Sequence, residues 1–287
     1  MISGTTRLGG LLGSPVSHSL SPAIHNESFR VLGLDYVYLC FDIGKDALPD
    51  VVRAFMEMNV FGFNLTMPVK EAVMALLDEL TPAASLIHAV NTVCNENGRL
   101  TGYNTDGIGF MRSVREAGAD PAGKEMTLMG CGGAAQAIAF QAALDGTKEL
   151  HLACRRSASW EKARGIVDRI NEKTSCKADL TDLRDEAEMR RILGRSMLLA
   201  NATSAGMGVH TDDTPLAFPH LLHEDLYVTD AIYNPRTTRL MREAAQAGCR
   251  TANGLGMFLY QAEAAFHIWT GQEMPVEHIL RKFFENA

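Results

Sequence analysis

The chain is short of most patterns that would gather a metal, a membrane or a nucleic acid. Its six cysteines, at positions 40, 94, 131, 154, 176 and 249, include no Cys-x-x-Cys pair, which argues against a zinc knuckle and a disulfide framework. Four of them fall in or beside apolar runs of strand length, where a free thiol acts as a small hydrophobe, and none stands out as a catalytic candidate. The nine histidines include no His-Glu-x-x-His, and neither that motif nor paired cysteines accompany His220 and His223, so no metal is expected. Gly-x-Ser-x-Gly is missing, which removes the serine-hydrolase elbow. No apolar run approaches the roughly 18 residues that cross a bilayer. Met1–Arg7 lacks the charged-then-apolar pattern of an export signal. Basic stripes are absent as well: Arg155-Arg156 and Arg190-Arg191 are isolated pairs, and a formal charge of −7 makes nucleic acid a poor partner. The expectation is a cytoplasmic protein with no membrane or nucleic-acid partner.

What is present is an ordinary globular composition, 46% hydrophobic and 21% charged, over 287 residues, a length at which one core usually becomes two. Short apolar runs alternate with amphipathic stretches, the sign of an α/β fold rich in parallel strands. Strands are predicted near 7–13, 36–42, 60–66, 90–96 and 100–103, with helices near 22–33, 46–58, 68–79 and 106–118. Asn95-Glu96-Asn97-Gly98 marks a hairpin between the last two strands. Ala119–Gly123 reads as a break. Beyond it come strands near 125–130, 149–153, 176–180, 197–202 and 226–232, and a helix over 133–144. Two helices, 255–269 and 276–284, close the chain. No internal repeat or low-complexity tract is visible.

Chemistry concentrates at the ends of these predicted strands, where open α/β sheets hold ligands. Asn64-Leu65-Thr66-Met67-Pro68-Val69-Lys70 follows a short apolar strand. With Thr66 as N-cap and Pro68 in a first helical turn, Lys70 stands near a helix start. Asp106 follows the strand 100–103, but 36 positions separate it from Lys70, so spacing alone does not join them. Gly130-Cys131-Gly132-Gly133-Ala134-Ala135 follows a strand and opens a helix. It fits the G-x-G-x-x-G/A turn whose glycines let backbone approach a pyrophosphate, although a tight turn with no ligand has the same look. After the next strand stand Arg155, Arg156 and Ser157, with no acid before Glu161. Two guanidiniums and a hydroxyl suit a ribose 2′-phosphate, which favours NADP over NAD, yet an arginine can also stack on adenine and NAD stays open. Ser19 and Ser21 precede Pro22 and a helix, so they could meet a carboxylate or simply cap that helix.

Six segments taken together resemble the shikimate dehydrogenase family, in the family's own order from about residue 8 to about residue 270. They are Ser17-His18-Ser19-Leu20-Ser21-Pro22, the 64–70 segment, Ala89-Val90-Asn91-Thr92, Tyr103-Asn104-Thr105-Asp106-Gly107, Gly130–Ala134 and Gly254-Leu255-Gly256-Met257. Residues 78–84 (DELTPAA), the 103–107 segment and Tyr233-Asn234-Pro235 are more similar to the quinate/shikimate branch. The resemblance implies two α/β domains. Residues 1–106 with 255–287 would form the substrate domain, and 107–254 a doubly wound, Rossmann-type dinucleotide domain. It also implies a catalytic pair, Lys70 and Asp106. Ser19, Ser21 and Tyr233 would take the substrate carboxylate, and Thr66, Asn91 and Gln261 its ring hydroxyls. The cofactor side would hold Gly130, Cys131, Gly132, Gly133, Ala134, Arg155, Arg156, Ser157, Ser204, Ala231 and Gly254. That branch often has Asp where this chain has Ser157, and the family commonly has Asp where it has Asn253. The expected reaction is NADP-linked oxidation of shikimate at C3, with quinate as a second substrate. The rival readings are an NAD-capable enzyme preferring quinate, a non-catalytic dinucleotide sensor, and an enzyme for another ring acid. The expected assembly is a monomer or a homodimer.

Overall fold

The chain, in a computed structural model that describes residues 2–284, divides into two compact units. One takes Met1–Thr105 and Leu259–Ala287; the other takes Asp106–Phe258. The second boundary differs by a few residues from the sequence reading, because the helix opened by Leu255 runs unbroken to Thr270.

In the first unit β1 (Arg7–Gly13), α1 (Ser21–Val31), β2 (Tyr36–Asp42), α2 (Leu48–Glu57) and β3 (Gly62–Leu65) build a parallel half. β4 (Glu79–Leu80), α3 (Pro82–Ile87), β5 (Thr92–Glu96) and β6 (Arg99–Tyr103) complete the sheet in the order β2-β1-β3-β5-β6-β4. The sheet is mixed. β5 runs antiparallel to β3 and to β6, turned by Asn97 (φ 56°) and Gly98 (φ 87°), the left-handed pair that a two-residue hairpin requires. This reversal puts the start of β5 on the same edge as the ends of β1, β3 and β6, with Leu12 opposite Leu65, Asn64 opposite Thr92 and Thr92 opposite Tyr103.

The α-helix expected over 68–79 does not form. Val69 and Val73 turn into the core, and the Val90 N–H donates to the Lys70 carbonyl at 2.9 Å. That carbonyl would otherwise accept from Met74 in an α-helix; Met74 donates instead to Glu71 at 3.3 Å, leaving turns and a short 3₁₀ segment, Ala72–Leu76. Thr66 therefore caps no helix, and no helix dipole bears on Lys70. The Met67–Pro68 peptide is cis.

The second unit carries α4 (Asp106–Glu116), β7 (Glu125–Met129), α5 (Gly133–Leu144), β8 (Glu149–Cys154), α6 (Trp160–Lys173), β9 (Lys177–Asp182), α7 (Glu186–Leu193), β10 (Leu198–Asn201), β11 (Tyr227–Asp230), α8 (Arg239–Gln246) and β12 (Arg250–Ala252). Every pairing between these strands is parallel and the order is β12-β11-β10-β7-β8-β9, a doubly wound Rossmann-type sheet with its switch point between β7 and β10. Met189, Ile192, Leu199, Val228 and Leu240 share the core on one face. Asp185 and Thr238 cap α7 and α8 by accepting from Glu188 and Met241.

α9 (Leu255–Thr270) and α10 (Val276–Phe283) follow, and the part of α9 beyond Leu259 packs in the first unit. Trp269 donates its indole N–H to the Val93 carbonyl at 2.9 Å. Beside it, His25 of α1 is fully buried in a stack of rings, with Tyr38 at 4.6 Å, Trp269 at 5.3 Å and Phe266 at 6.3 Å between centroids. Neither ring nitrogen has a partner, and burial pushes its pKa down to about 3, so the imidazole is a neutral plate that fixes α1 and hence Ser21 at its first turn.

An unfolded His25 binds a proton near pH 6.5, whereas the folded one resists until about 3, so folding stability falls as pH drops across that window. The variant His25→Phe is expected to lose less stability than the parent between those limits. Urea melts at stepped pH measure this, and parallel slopes for both proteins would remove His25 as the cause.

Candidate active site

Hydrogen bonding at the ligand-side edge of the first sheet joins three of the six segments, 64–70, 89–92 and 103–107. The Asn91 carboxamide is the hub. Its oxygen accepts from the Thr105 N–H (2.8 Å) and the Thr92 hydroxyl (2.9 Å), and its nitrogen donates to the Thr105 hydroxyl at 2.9 Å. Asn64, at the end of β3, donates to the Asn91 carbonyl and to Thr92, while its own oxygen receives the Tyr38 hydroxyl at 2.7 Å. All five side chains are buried. An amide reads as a binding group in sequence, and here it also holds two strand ends together. Since Val90 binds the Lys70 carbonyl and Thr105 precedes Asp106, one short path of backbone and amide runs from Lys70 to Asp106.

Thr66 lies on this edge too, its N–H donating to the Leu12 carbonyl at 2.9 Å, and its side chain is partly exposed like that of Lys70. Ser21 is the first residue of α1 rather than its N-cap, and its N–H donates to the Ser19 hydroxyl at 3.2 Å. Cys40, which sequence reasoning passed over, is also here: burial pushes its thiol up while a hydrogen bond with Ser19 pulls it partly back. Gln261 stands half-buried on α9.

The second unit gathers its candidates at the C-terminal ends of parallel strands. Gly130 needs to be glycine for the protein's own sake, because its φ is +115° and a side chain would meet the Ala202 carbonyl at 2.9 Å. Gly132 and Gly133, the N-cap and first residue of α5, are different: a side chain at either would meet nothing. Open space above two consecutive glycines at a helix N-terminus fits a pyrophosphate that needs close backbone approach. Ala231 and Gly254 are brought into contact, for a side chain at Gly254 would strike the Ala231 carbonyl, and the Gly254 N–H donates to the Ile232 carbonyl at 2.9 Å. Tyr233 stacks on Phe258 at 5.0 Å, and burial raises its phenol, which keeps it a donor.

The expected arginine pair is divided. Arg155 lines a cavity of about 400 Å³ with Thr203, Ser204, His210 and Arg239. Arg156 turns away, its guanidinium 5.1 Å over the Trp160 ring and its Nε 3.5 Å from Asp182. Ser157 shares a hydrogen bond with Ser159 at 2.9 Å. His210 and Arg239 carry no motif, and only the fold brings them to Arg155.

Asp230 is a further residue that sequence missed. Fully buried at the end of β11, it accepts from the Asn201 carboxamide (3.1 Å), Thr238 (2.9 Å) and the Ile232 N–H (3.0 Å). Burial raises its pKa against those three donors. Asn201 in turn receives the Thr203 N–H at 2.9 Å, so a single carboxylate fixes both loops that follow β10 and β11. The available signal was an acid closing an apolar strand, Tyr227-Val228-Thr229-Asp230. One group with metal-ligand spacing exists among the described residues, Glu125, Glu149 and His151. It sits at the opposite, N-terminal end of the strands, where Arg195 pairs with Glu125 at 2.7 Å and Glu149 at 3.5 Å and supplies the positive charge.

Comparison with known proteins gives the same outline. The family model "Shikimate dehydrogenase substrate binding domain" matches residues 11–93, and "Shikimate 5'-dehydrogenase C-terminal domain" matches 254–282. The chain is 48% identical to a shikimate dehydrogenase (NADP(+)) of Listeria monocytogenes serotype 4b (strain F2365), over 99% of this chain and 97% of that one. It is 40% identical to a quinate/shikimate dehydrogenase of Escherichia coli O139:H28, over 94% of each. The crystal structure of a shikimate 5-dehydrogenase from Listeria monocytogenes in complex with shikimate and NAD superposes with a TM-score of 0.96 at 48% identity, covering 98% of this chain and 97% of that one.

Replacing Asp230 with Ala leaves buried donors from Asn201, Thr238 and Ile232 without an acceptor. The expected cost is about 2 kcal/mol of stability, read by urea denaturation, together with weaker dinucleotide binding. An unchanged melt would show that the carboxylate does not hold these loops.

Proposed function

This chain belongs to the shikimate dehydrogenase family, and from that premise we propose that it is an NADP-dependent oxidoreductase interconverting shikimate and 3-dehydroshikimate. When bound, the nicotinamide exchanges a hydride with the C3 carbon. The protein's part is to hold the ring acid and move the hydroxyl proton. Lys70 takes that proton as C3 becomes a ketone and returns it in reverse, while Asp106 orients the amine and the hydroxyl. Ser19, Ser21 and Tyr233 receive the carboxylate, and Thr66, Asn91 and Gln261 face the ring hydroxyls. The observation that carries this reading is the path Lys70–Val90–Asn91–Thr105–Asp106, in which two hydrogen bonds tie the segments bearing the base and its partner.

For the cofactor, Gly130, Cys131, Gly132, Gly133 and Ala134 present backbone to the pyrophosphate, and Ser204, Ala231 and Gly254 border the same strand ends. Arg155 serves the adenosine end from the cavity it lines, and Arg156 and Ser157, next in the chain, reach the same end from outside that cavity. The lack of an acid at 157 favours a 2′-phosphate over a bare ribose. Quinate is a second substrate in this reading, supported by the relative named for both acids and by the DELTPAA and YNTDG segments. We place the protein in the cytoplasm, as a monomer or a homodimer.

Two variants test the assignment. Lys70→Ala should lower kcat by about 10² to 10⁴ with a smaller change in KM; a near-normal turnover number removes the lysine from the mechanism. Ser157→Asp should shift the kcat/KM ratio of NADP to NAD towards NAD by about tenfold or more, measured with shikimate and with quinate. An unmoved ratio would place 2′-phosphate selection elsewhere.

A further inference from the structure

Two thiols meet at the dinucleotide turn. Cys131 is partly exposed and stands one residue before Gly132, the N-cap of α5; Cys154 is buried and ends β8. β7 and β8 are paired in parallel as far as Met129 opposite Ala153, and the Gly130 N–H donates to the Ala153 carbonyl at 2.9 Å. Cys154 lies one residue past that bond on its strand. Cys131 lies one residue past it on the other. In that register Cys154 faces Gly130 and Cys131 stands diagonal to it; with strands about 4.8 Å apart and a rise of about 3.3 Å per residue, the two Cα atoms fall at about 6 Å, inside the roughly 4.4–6.8 Å that a disulfide spans. Cys131 also acts on Cys154: burial first, then the charge and hydrogen bonding of Cys131, push the Cys154 thiol up to about 12. None of Cys40, Cys94, Cys176 and Cys249 has a second thiol among the groups acting on it.

We infer that Cys131 and Cys154 are a reversible thiol–disulfide pair, oxidised by a hydroperoxide, that switches off dinucleotide binding. The inference rests on the reading of Gly130–Ala134 as the pyrophosphate turn. Cys131, the accessible partner, attacks the peroxide: an S–O bond forms, the O–O bond breaks, and the departing hydroxide becomes water. Cys154 then attacks the sulfenic sulfur. An S–S bond forms, the S–O bond breaks, and a second water leaves with the Cys154 proton. Two thiols lose two electrons, and one hydrogen peroxide becomes two waters. Until a sulfenic acid stands beside it, Cys154 stays protonated and inert. The new bond staples Cys131 to β8 and removes the backbone freedom that Gly132 and Gly133 offer a pyrophosphate. A small dithiol reverses the change.

The test uses the full chain, fully reduced, then treated with equimolar hydrogen peroxide. Three quantities are read: intact mass with peptide mapping, NADPH binding by fluorescence, and shikimate oxidation before and after dithiothreitol. The expected result is a loss of two hydrogens mapped to a 131–154 crosslink, with NADPH affinity falling about tenfold or more and returning with dithiothreitol. Saturating NADP should protect. Cys154→Ser should keep basal turnover and NADPH binding yet show neither crosslink nor reversible loss, and Cys154→Ala serves if the buried serine impairs folding. Absence of the crosslink, a crosslink without loss of NADPH affinity, or the same reversible loss in both Cys154 variants would overturn the proposal. Reduced protein that binds no NADPH would overturn the dinucleotide reading, and this proposal with it.

Discussion

The first unit depends on a few hydrogen bonds that local sequence does not announce. Val90 takes the Lys70 carbonyl, and Asn91 takes Thr105. Together they decide that the segment after β3 is a run of turns and that β5 begins where β6 ends. A lysine on a freely advancing helix would change direction by about 100° per residue. Held by its own carbonyl, Lys70 is placed by the sheet instead. In the proton-transfer role we propose for it, Lys70 gains from such rigidity, because misplacement by about 1 Å can cost about a hundredfold in rate.

The second unit solves the same problem with one buried carboxylate. Asp230 gathers donors from the ends of β10 and β11 and from the start of α8, so two loops move as one piece. An ionised group without a countercharge is costly to bury, and its raised pKa records that cost. Small residues then set the clearances. Gly254 lets the chain press against the Ala231 carbonyl, while Gly132 and Gly133 leave a gap that no protein atom fills. The first kind of glycine is forced by packing; the second makes sense through a ligand.

Much of this architecture was legible because period and punctuation agree with it. Residues 7–13 and 36–42 alternate or run apolar as strands do, and Gly133–Leu144 opens on glycine and continues in alanine. The hairpin announced itself through Asn97-Gly98. Residues 68–79 misled because proline and a helical apolar period are local signals, whereas the bond that breaks the helix comes from Val90. Two adjacent arginines gave no sign that one would stack on Trp160 while the other entered a cavity. Nor did Asn91 reveal that its amide serves neighbouring strands. Groups whose partners lie far along the chain are those that pattern reading misjudges.

The first unit is assembled from both ends of the polypeptide. Trp269 reaches the Val93 carbonyl across 176 positions, and His25 gains the Phe266 and Trp269 rings of its stack only when α9 is present. On a ribosome adding roughly 5–20 residues each second, the opening sheet waits on the order of ten seconds or more for the helix that covers it. All of Asp106–Phe258 is synthesised in that interval. During translation the whole Rossmann-type sheet is thus synthesised before α9 can cover the aromatic face of the earlier-made half.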